Sequence, residues 1–500
     1  GAVAQDVTLT SRDGTVSVSG TLLTFDGELY RLETEYGVLT LDGLRVTCDG
    51  PGCPDLTGLV SKLRISGSRT MGEVLMPALV ETYAIRNNLA LERQVISDTA
   101  FEYRLTRRGE DTPAAIIGFR ITSTAEGFAD LVADEADLVL STREVTPTEI
   151  ELGRAAGLGD LSVARRSQIV ALDGLVPIVS RRNPLDAILL EDLAQVYAGQ
   201  IVDWVALGGT PGPLSLHLRD TQSGLAEEFR RRVMAPMGLD IVGDVTLHAD
   251  NASLADAVSR DPDAIGIAAF SETGNAKMLD LIGSCGKRIR ASSTTLKTED
   301  YPLTTPLFIY SPIGRPSPLT RELIGYIRSR FAQPVIARSG FVDLRVGEVN
   351  VDGQGQRLAN AIGAAGDEIT LTELQRLVAE LDGTERLTLS FRFEPGGTRL
   401  DAQSRSNIEQ LGRVLEDGRL DDREIMFVGF TDGEGEARAN LRLARRRADT
   451  VRKAVLRAAP AADHSRLNIS VEAFGEAMPM ACDDSAWGKA INRRVEVWVK

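Results

Sequence analysis

Two charged residues near the end of the sequence have the types and the spacing to bind a zwitterion. Asp432 follows a predicted strand, in the run Gly429-Phe430-Thr431-Asp432, and Arg447 lies on the predicted helix that comes next. Asn440 precedes Arg447 by seven residues, so both side chains share one face of that helix. A carboxylate binds an ammonium group and a guanidinium binds a carboxylate, each through a contact worth roughly 1.5–3 kcal/mol. The pattern predicts either a site for the α-amino acid end of a ligand or an ion pair between Asp432 and Arg447.

A second group of polar residues has the chemistry of an oxyanion site. Ser68 and Thr70 precede one predicted helix, and Ser223 and Gly224 open another. The first N–H groups of a helix and its dipole favour a negative charge, and Arg219 supplies a guanidinium for two parallel hydrogen bonds. Each hydroxyl by itself is explained equally well as a helix cap. Their combination with Arg219 favours an anion site.

The segment that carries this second group, residues 60–345, alternates predicted strands and helices, which is the pattern of an α/β fold. It resembles the phosphate-binding periplasmic proteins of the type II solute-binding fold, in the runs Ser66-Gly67-Ser68-Arg69-Thr70 and Arg219-x-x-x-Ser223-Gly224. The resemblance alone adds two residues, Ser123 and Ser141. We therefore predict these oxyanion-binding residues: Ser68, Thr70, Ser123, Ser141, Arg219, Ser223 and Gly224.

The same resemblance carries expectations about mechanism and partners. It implies two lobes that are joined by hinge segments near residues 143 and 265 and that close over a ligand. Phosphate is the ligand that it implies first. It also brings an inner-membrane ABC permease into consideration as a partner, although no residue of the sequence points to one.

Three positions depart from the pattern of phosphate binders. Thr142 stands where such proteins carry an acidic residue that accepts the proton of hydrogen phosphate. Thr221 replaces the acidic partner of the arginine, although Asp220 is adjacent, and Leu225 replaces a hydroxyl residue. The sequence therefore leaves open phosphate, another oxyanion, or a fold that has lost its ligand.

The C-terminal segment, residues 386–500, resembles the OmpA C-terminal-like peptidoglycan-binding domain. The motifs behind this resemblance include Gly475-Glu476 and Asn492-Arg493-Arg494-Val495-Glu496, in addition to the residues around Asp432. It implies that Asp432, Asn440 and Arg447 bind peptidoglycan through the diaminopimelate of its stem peptide. Phe430 and Ala444 differ from the usual His and Ser of the family, and neither change removes a charge. Arg493 and Arg494 are expected to brace the last strand.

The four cysteines give one prediction and one open question. Cys48 and Cys53 bracket a tight turn, and their spacing favours a disulfide over two free thiols. Cys285 and Cys482 fall in different predicted domains. They are free, buried or paired across the domains, and the sequence does not decide among these states.

The remaining segments carry no chemistry of their own. Residues 5–58 alternate apolar and polar side chains between turn signals and predict a small β module. Residues 346–385 are rich in glycine and predict a connector with one short helix. Ala2-Val3-Ala4 has the pattern that ends a signal peptide, which together with a disulfide indicates the periplasm.

The composition fits a globular protein, and the sequence motifs do not indicate an enzyme. Hydrophobic residues make up 43% and charged residues 25% of the 500 residues, and the net charge is −15. This acidity argues against nucleic-acid binding. The sequence has no serine-hydrolase, zinc-protease or P-loop motif and no metal-ligand spacing among its histidines. We therefore expect no catalysis, no metal and no cofactor.

Together these patterns predict an α/β multidomain protein. It combines a small N-terminal β module, a two-lobed type II periplasmic-binding-protein fold and a C-terminal OmpA-like β/α domain. The function that we favour is a periplasmic, cell-wall-associated binding protein for phosphate or a similar oxyanion, mature after signal-peptide removal. The alternative is a wall-anchored structural or protein-interaction scaffold whose solute-binding fold no longer binds phosphate.

Overall fold

The structure is a computed structural model that describes most of the chain. The described residues are 6–11, 14–43, 45–54, 60–163, 166–221, 223–313, 316–350, 354–363, 365, 369–393 and 399–500. They form two compact units, of which the first covers Gly1–Ser141, Val145–Ser167 and Ile309–Val335. The second covers Thr142–Glu144, Gln168–Phe308 and Ile336–Lys500. Among the described residues, no helix combines the length and the apolar character that a membrane span requires.

The chain passes between the two units at several points. One passage surrounds residues 142–144, near the hinge that the sequence predicts at 143. The predicted hinge at 265 is wrong, since residue 265 lies inside a strand of the second unit. The later passages fall at residues 167–168, 308–309 and 335–336. The prediction failed because a resemblance based on short motifs does not fix which residues connect the two units.

The N-terminal module is an antiparallel sheet. Its strands are β1 (Asp6–Ser11), β2 (Ser17–Phe25), β3 (Leu29–Thr34), β4 (Gly37–Asp42) and β5 (Val46–Asp49). They pair in the order β4-β3-β2-β1-β5. The buried core consists of Val7, Leu9, Tyr30 and Leu32. Cys48 and Cys53 form the predicted disulfide, whereas the predicted signal-peptide end, Ala2-Val3-Ala4, lies outside the described residues.

The rest of the first unit begins with a mixed sheet. Its elements are β6 (Ser61–Ser68), a π-helical turn (Met71–Leu75), α1 (Met76–Arg86), β7 (Leu89–Ser97), β8 (Ala100–Arg107), β9 (Ala115–Thr122), α2 (Thr124–Val132), β10 (Leu138–Ser141) and α3 (Pro147–Ala155). β6 lies between β9 and β10 and runs parallel to both. Gly67 on β6 has φ +131°, and a Cβ there would lie 2.2 Å from the Leu140 carbonyl oxygen. Only glycine therefore fits this position.

The middle segment, residues 168–308, contributes strands to a mixed sheet and forms a separate sheet of three short strands. Its elements are β11 (Ser167–Val179), β12 (Ala187–Leu189), α4 (Leu190–Tyr197), β13 (Ser215–Arg219), α5 (Gly224–Phe229), β14 (Thr246–His248), α6 (Asn251–Arg260), β15 (Ala264–Ala269), β16 (Lys277–Met278), β17 (Asp280–Ile282), β18 (Arg288–Ile289), α7 (Ser293–Lys297) and β19 (Thr304–Tyr310). β13 is parallel to β14 and β15, and β15 is antiparallel to β11. This arrangement places Arg219 at the carboxyl end of a central strand.

The C-terminal segment, residues 346–500, is built on a five-stranded sheet in the order β20-β21-β24-β22-β23. After α8 (Pro318–Arg328) and α9 (Gln333–Arg338), its elements are β20 (Glu348–Asn350), α10 (Gly355–Gly363), α11 (Leu371–Leu381), β21 (Glu385–Phe391), α12 (Ala402–Glu416), β22 (Glu424–Phe430), α13 (Ala437–Ala458), β23 (Asn468–Gly475), α14 (Ala486–Asn492) and β24 (Arg494–Val499). The side chains of α12 and α13 pack into one apolar cluster of this sheet.

The segment 346–385, which the sequence marks as a connector, contributes directly to this sheet. Its strand β20 pairs with β21 at the sheet edge. Leu374, Leu377 and Leu381 of α11 pack in a second apolar cluster with Met426 and Trp498 of the sheet. The glycines of this segment suggested a loose chain, but the amphipathic helices bury their apolar sides on the sheet face that α12 and α13 do not cover.

A disulfide joins the middle segment to the C-terminal segment. Cys285 lies just before β18, Cys482 lies before α14, and the structure bonds the two residues across 197 positions. The cross-domain pairing that the sequence left open is therefore the one observed. Gln403 of α12 adds hydrogen bonds from its side-chain nitrogen to the carbonyl oxygens of Leu296 and Lys297. We call this contact region the joint.

A buried ion cluster forms the centre of the joint. The Asp300 carboxylate accepts hydrogen bonds from Arg386 at 2.8 Å and from Arg392 at 3.2 Å. Glu496 on β24 pairs with Arg494 at 2.6 Å and with Arg386 at 3.4 Å. Burial raises the pKa of the Asp300 carboxyl, but the two guanidinium charges outweigh burial and hold this pKa well below its usual range. The same balance lowers the pKa of Glu496 to about 2.

Candidate functional site

The predicted peptidoglycan-binding residues gather at the carboxyl end of β22. Asp432 lies two residues beyond this strand and is only 7% exposed. Its Oδ2 atom accepts a hydrogen bond from the guanidinium of Arg493 at 2.6 Å. Arg493 therefore does more than brace the last strand, and the ion pair of Asp432 is formed with Arg493 rather than with Arg447. Arg494 does brace the strand, since its buried guanidinium bonds Glu496 and the carbonyl oxygen of Met478.

Arg447 presents buried nitrogen atoms that lack a partner. Its Nε and Nη1 atoms are inaccessible to solvent and receive no acceptor from the described residues. The guanidinium lies over the ring of Phe393, with 5.3 Å between its central carbon and the ring centroid. Burial lowers the pKa of Arg447, the charge of Arg493 lowers it further, and Asp432 raises it. A buried donor without a partner costs about 1–3 kcal/mol, so an anionic ligand would complete this arrangement.

Asn440 holds the loop that carries Asp432. Its side-chain nitrogen donates to the carbonyl oxygens of Asp432 at 3.4 Å and of Glu434 at 3.2 Å. The loop also contains Gly435, whose φ of +97° is accessible to glycine without strain. Asn440 thus positions the loop backbone, while the charges beside it face the candidate ligand site. Thr431 adds a buried hydroxyl that has no partner among the described residues.

In the first unit, two hydroxyl groups meet at the ends of parallel strands. Ser68 ends β6 and Thr122 ends β9, and the two residues are direct neighbours in the strand register. Both hydroxyl oxygens are buried, and neither has a hydrogen-bond partner in the part of the chain that is described. In open α/β sheets, ligands bind beyond the carboxyl ends of the strands. Sequence reasoning found Ser68 and missed Thr122, because only the register shows that the two are adjacent.

The other predicted residues of the first unit have mixed roles. Ser123 caps α2, since its hydroxyl accepts the N–H of Glu126 at 3.2 Å. Thr70 precedes the π-helical turn without capping it through its side chain. Ser141 is fully buried at the end of β10. The cap that the sequence offered as the alternative explanation is therefore observed for Ser123 and is absent for Thr70.

In the second unit, Arg219 lies almost fully buried at the end of β13. Its guanidinium donates to Asn251 Oδ1 at 2.6 Å and to the Ala249 carbonyl oxygen at 2.9 Å. Its Nε atom has no partner among the described residues. These bonds hold the guanidinium in a fixed orientation and leave one buried donor for a ligand. Asn251 is a positioning residue that the sequence motif does not reveal.

Ser223 and Gly224 form the start of α5. The Ser223 hydroxyl donates to the Asp220 carbonyl oxygen at 2.8 Å and accepts the N–H of Ala226 at 3.2 Å, as a helix cap does. A Cβ on Gly224 would lie 2.9 Å from Thr142 Oγ1, so a larger residue would collide with Thr142. The structure thus brings Arg219, Ser223 and Gly224 into one region of the second unit, and Ser68 and Thr122 into one region of the first.

Comparison with known families matches both parts of the chain. Residues 59–330 match the model of the PBP superfamily domain, and residues 392–493 match the model of the OmpA family. Both resemblances that the sequence shows are thereby confirmed, as is the mixed α/β fold. The matched families are not families of enzymes, in agreement with the lack of a catalytic motif.

Two curated proteins share sequence with the chain. Protein SphX of Synechococcus elongatus (strain ATCC 33912 / PCC 7942 / FACHB-805) is 28% identical over 201 residues, which are 38% of this chain and 58% of SphX. Probable lipoprotein YiaD of Escherichia coli (strain K12) is 41% identical over 73 residues, which are 15% of this chain and 32% of YiaD. The chain therefore spans less than two thirds of the length of either relative.

Solved structures resemble each part separately. An ABC-type phosphate transport receptor from Vibrio cholerae is 19% identical, with a TM-score of 0.43, and the match covers 56% of this chain and 99% of the receptor. The periplasmic domain of Helicobacter pylori MotB is 21% identical, with a TM-score of 0.20, and the match covers 24% of this chain and 75% of that domain.

Proposed function

The chain belongs to the PBP superfamily, and from this premise we propose that it is a periplasmic solute-binding protein for an inorganic oxyanion. Phosphate is the oxyanion that we favour. We further propose that its OmpA-family domain binds peptidoglycan and so holds the protein on the cell wall without a covalent bond. The ligand of this domain would be the diaminopimelate of the stem peptide. The protein would act in the periplasm after removal of a signal peptide, and an inner-membrane ABC permease is the partner that such a receptor would serve.

The observation that carries the proposal is the set of unpartnered nitrogens on Arg447. A buried guanidinium needs an acceptor, and Asp432 is already bonded to Arg493. A ligand carboxylate can accept a charge-assisted hydrogen bond from one of these nitrogens. The ammonium group of the same amino acid end would then share Asp432 with Arg493. Diaminopimelate has both groups on one carbon atom and is abundant in the wall.

The oxyanion part of the proposal rests on unpartnered donors in each unit. The hydroxyls of Ser68 and Thr122 and the Nε atom of Arg219 are buried without an acceptor or donor among the described residues. Hydroxyl groups and guanidinium groups both donate hydrogen bonds to oxyanions. We therefore propose Ser68, Thr70, Ser141, Arg219 and Gly224 as anion-site residues and add Thr122. Ser123 and Ser223 would contribute through the helix starts that their hydroxyls cap.

A calorimetric titration of the purified chain with phosphate tests the oxyanion proposal, with sulfate in a parallel titration. We expect saturable phosphate binding that Arg219→Ala weakens by at least about tenfold, because a charged hydrogen bond is worth roughly 1.5–3 kcal/mol. Arg182→Ala, which removes an arginine outside the predicted site, is the matched control and should bind as the wild type does. Binding of sulfate but not phosphate would show that the ligand is sulfate. No binding of either anion would contradict the proposal that the protein is an oxyanion receptor.

The scaffold remains the second candidate, because two observations favour it. Thr142 offers no carboxylate to accept the proton of hydrogen phosphate. The Ser223 hydroxyl is occupied by the cap and by the Asp220 carbonyl. If the titrations with phosphate and sulfate are silent while diaminopimelate binds, the chain is a wall-anchored scaffold in which the solute-binding fold serves contacts with other proteins.

A further inference from the structure

The carboxylate of Asp483 bonds two segments that lie on either side of Asp432. Asp483 Oδ2 accepts the N–H of Gly433 at 2.8 Å, and Asp483 Oδ1 accepts the side-chain N–H of Asn492 at 2.7 Å. Gly433 follows Asp432 directly in the chain, and Asn492 directly precedes Arg493, the ion-pair partner of Asp432. Asp483 therefore fixes the loop on one side of Asp432 and the helix end that carries its partner on the other side.

The position of Asp483 is in turn set by its neighbour Cys482. Cys482 is 3% exposed and is bonded to Cys285 of the middle segment. A Cβ on Gly488 would lie 1.9 Å from the carbonyl oxygen of Cys482, so the backbone of α14 touches the cysteine directly. Asn492 closes the same segment, since it accepts the N–H of Ala481 at 3.0 Å and donates to the Ala481 carbonyl at 2.8 Å.

We infer that Asp483 is a positioning residue for the Asp432–Arg447 site, and that the Cys285–Cys482 disulfide holds it in place. This inference rests on the proposed function of that site as a binding site for diaminopimelate. It assigns to the middle segment, which belongs to the solute-binding fold, a part in shaping the wall-binding site of another domain. The OmpA-family domain of this chain would accordingly bind more weakly without its covalent link to the middle segment than with it.

Substitution of Asp483 tests the first half of the inference on the full chain, with meso-diaminopimelate as the titrant. Asp483→Ala should weaken binding by about tenfold, the order expected from losing a hydrogen bond that orders a charged group. Asp483→Asn keeps one oxygen that can accept from Gly433, but its amide nitrogen cannot accept from Asn492. We therefore expect an affinity between those of the wild type and Asp483→Ala, whereas a role of the charge alone predicts equal losses in both variants. Asp484→Ala removes the adjacent exposed carboxylate and is the matched control.

The double substitution Cys285→Ser/Cys482→Ser tests the second half, and Cys48→Ser/Cys53→Ser removes the other disulfide as its control. We expect the first pair to lower diaminopimelate affinity severalfold in protein that circular dichroism shows to be folded, and the second pair to leave it unchanged. Wild-type affinity in Asp483→Ala or in the folded Cys285/Cys482 variant overturns the inference. Equal losses in Asp483→Ala and Asp484→Ala overturn it as well. A wild type without affinity for diaminopimelate contradicts the proposed function itself, and the inference with it.

Discussion

Arginine side chains serve opposite purposes in two regions of the second unit. In the joint, Arg386 and Arg392 direct terminal nitrogens at the carboxylate of Asp300. In the site beyond β22, Asp432 is bonded to Arg493, and Arg447 is left with buried nitrogens that the described residues do not satisfy. Removal of the carboxylate from a buried ion pair is strongly destabilising, whereas a buried guanidinium that lacks a carboxylate favours an incoming anion. Arg386 and Arg392 also have a buried Nε atom without a partner among the described residues. The carboxylate bonded to their terminal nitrogens is therefore what distinguishes the joint from the proposed binding site.

Loss of the disulfide in the joint should have the largest effect on stability. The Cys285–Cys482 bond spans 197 positions, whereas Cys48–Cys53 spans five. In the chain-entropy account, removal of the longer closure costs about 5 kcal/mol of unfolding free energy and removal of the shorter one about 2 kcal/mol. Denaturant unfolding of the two double serine variants measures the difference. Equal losses would show that the joint does not depend on its covalent link.

Removal of Asp300 should be nearly as damaging. Asp300→Ala leaves Arg386 and Arg392 buried without their carboxylate, which should lower the unfolding free energy by about 3–5 kcal/mol. Asp256→Ala breaks an exposed ion pair with Arg260 on α6 and is the control, with almost no expected change. Chemical denaturation of both variants checks this prediction, and similar midpoints would mean that the buried cluster adds nothing to the joint.

Removal of the Arg447 guanidinium, unlike removal of Asp300, should not destabilise the protein. Arg447→Met removes buried donors that have no acceptor and should leave the stability unchanged or raise it by about 1 kcal/mol. The same variant should lose its affinity for diaminopimelate. Arg494→Met, which takes one of its arginine partners from the buried Glu496, should destabilise the domain instead. Melting curves and titrations of the two variants measure both quantities, and a destabilised Arg447→Met would remove the distinction between the regions.

A smaller effect concerns the pH dependence of the joint. Burial raises the pKa of Glu299 to about 8, and the charge of Asp401 adds to this shift. Because the folded state holds this proton more tightly than the unfolded chain does, stability should fall as the pH rises from about 4.5 to about 8. Glu299→Gln should flatten that part of the curve. Thermal melts of wild type and variant at four pH values check it, and parallel curves would contradict the assignment.

Site residues that belong to local motifs could be predicted from the sequence. Asp432 and Arg447 could be singled out because a strand end and a helix face follow from residue spacing alone. The α/β alternation of residues 60–345 followed from the residue pattern, and the two-lobed and OmpA-like folds followed from the resemblance to known families. The bond between Arg493 and Asp432 did not, because it depends on the antiparallel register that places Arg494 opposite Phe430.

Contacts between distant segments could not be predicted from the sequence, because they depend on strand register and on domain packing. Thr122 joins Ser68 only through strand register, and no spacing rule connects positions so far apart. The Cys285–Cys482 bond depends on how two domains pack, which a count of cysteines does not determine. Glycines in residues 346–385 indicated a connector, yet the helices there pack where an uncovered sheet face needs them.

The most direct test of the account is sedimentation of the purified chain with isolated peptidoglycan. Wild type, Arg447→Ala and the control Arg446→Ala, which removes the neighbouring exposed arginine, would be compared at the same ionic strength. The account predicts that wild type and Arg446→Ala pellet with the wall material and that Arg447→Ala stays in the supernatant. Pelleting of all three variants to the same extent, or of none, would contradict the proposal that the unpartnered guanidinium of Arg447 binds the wall.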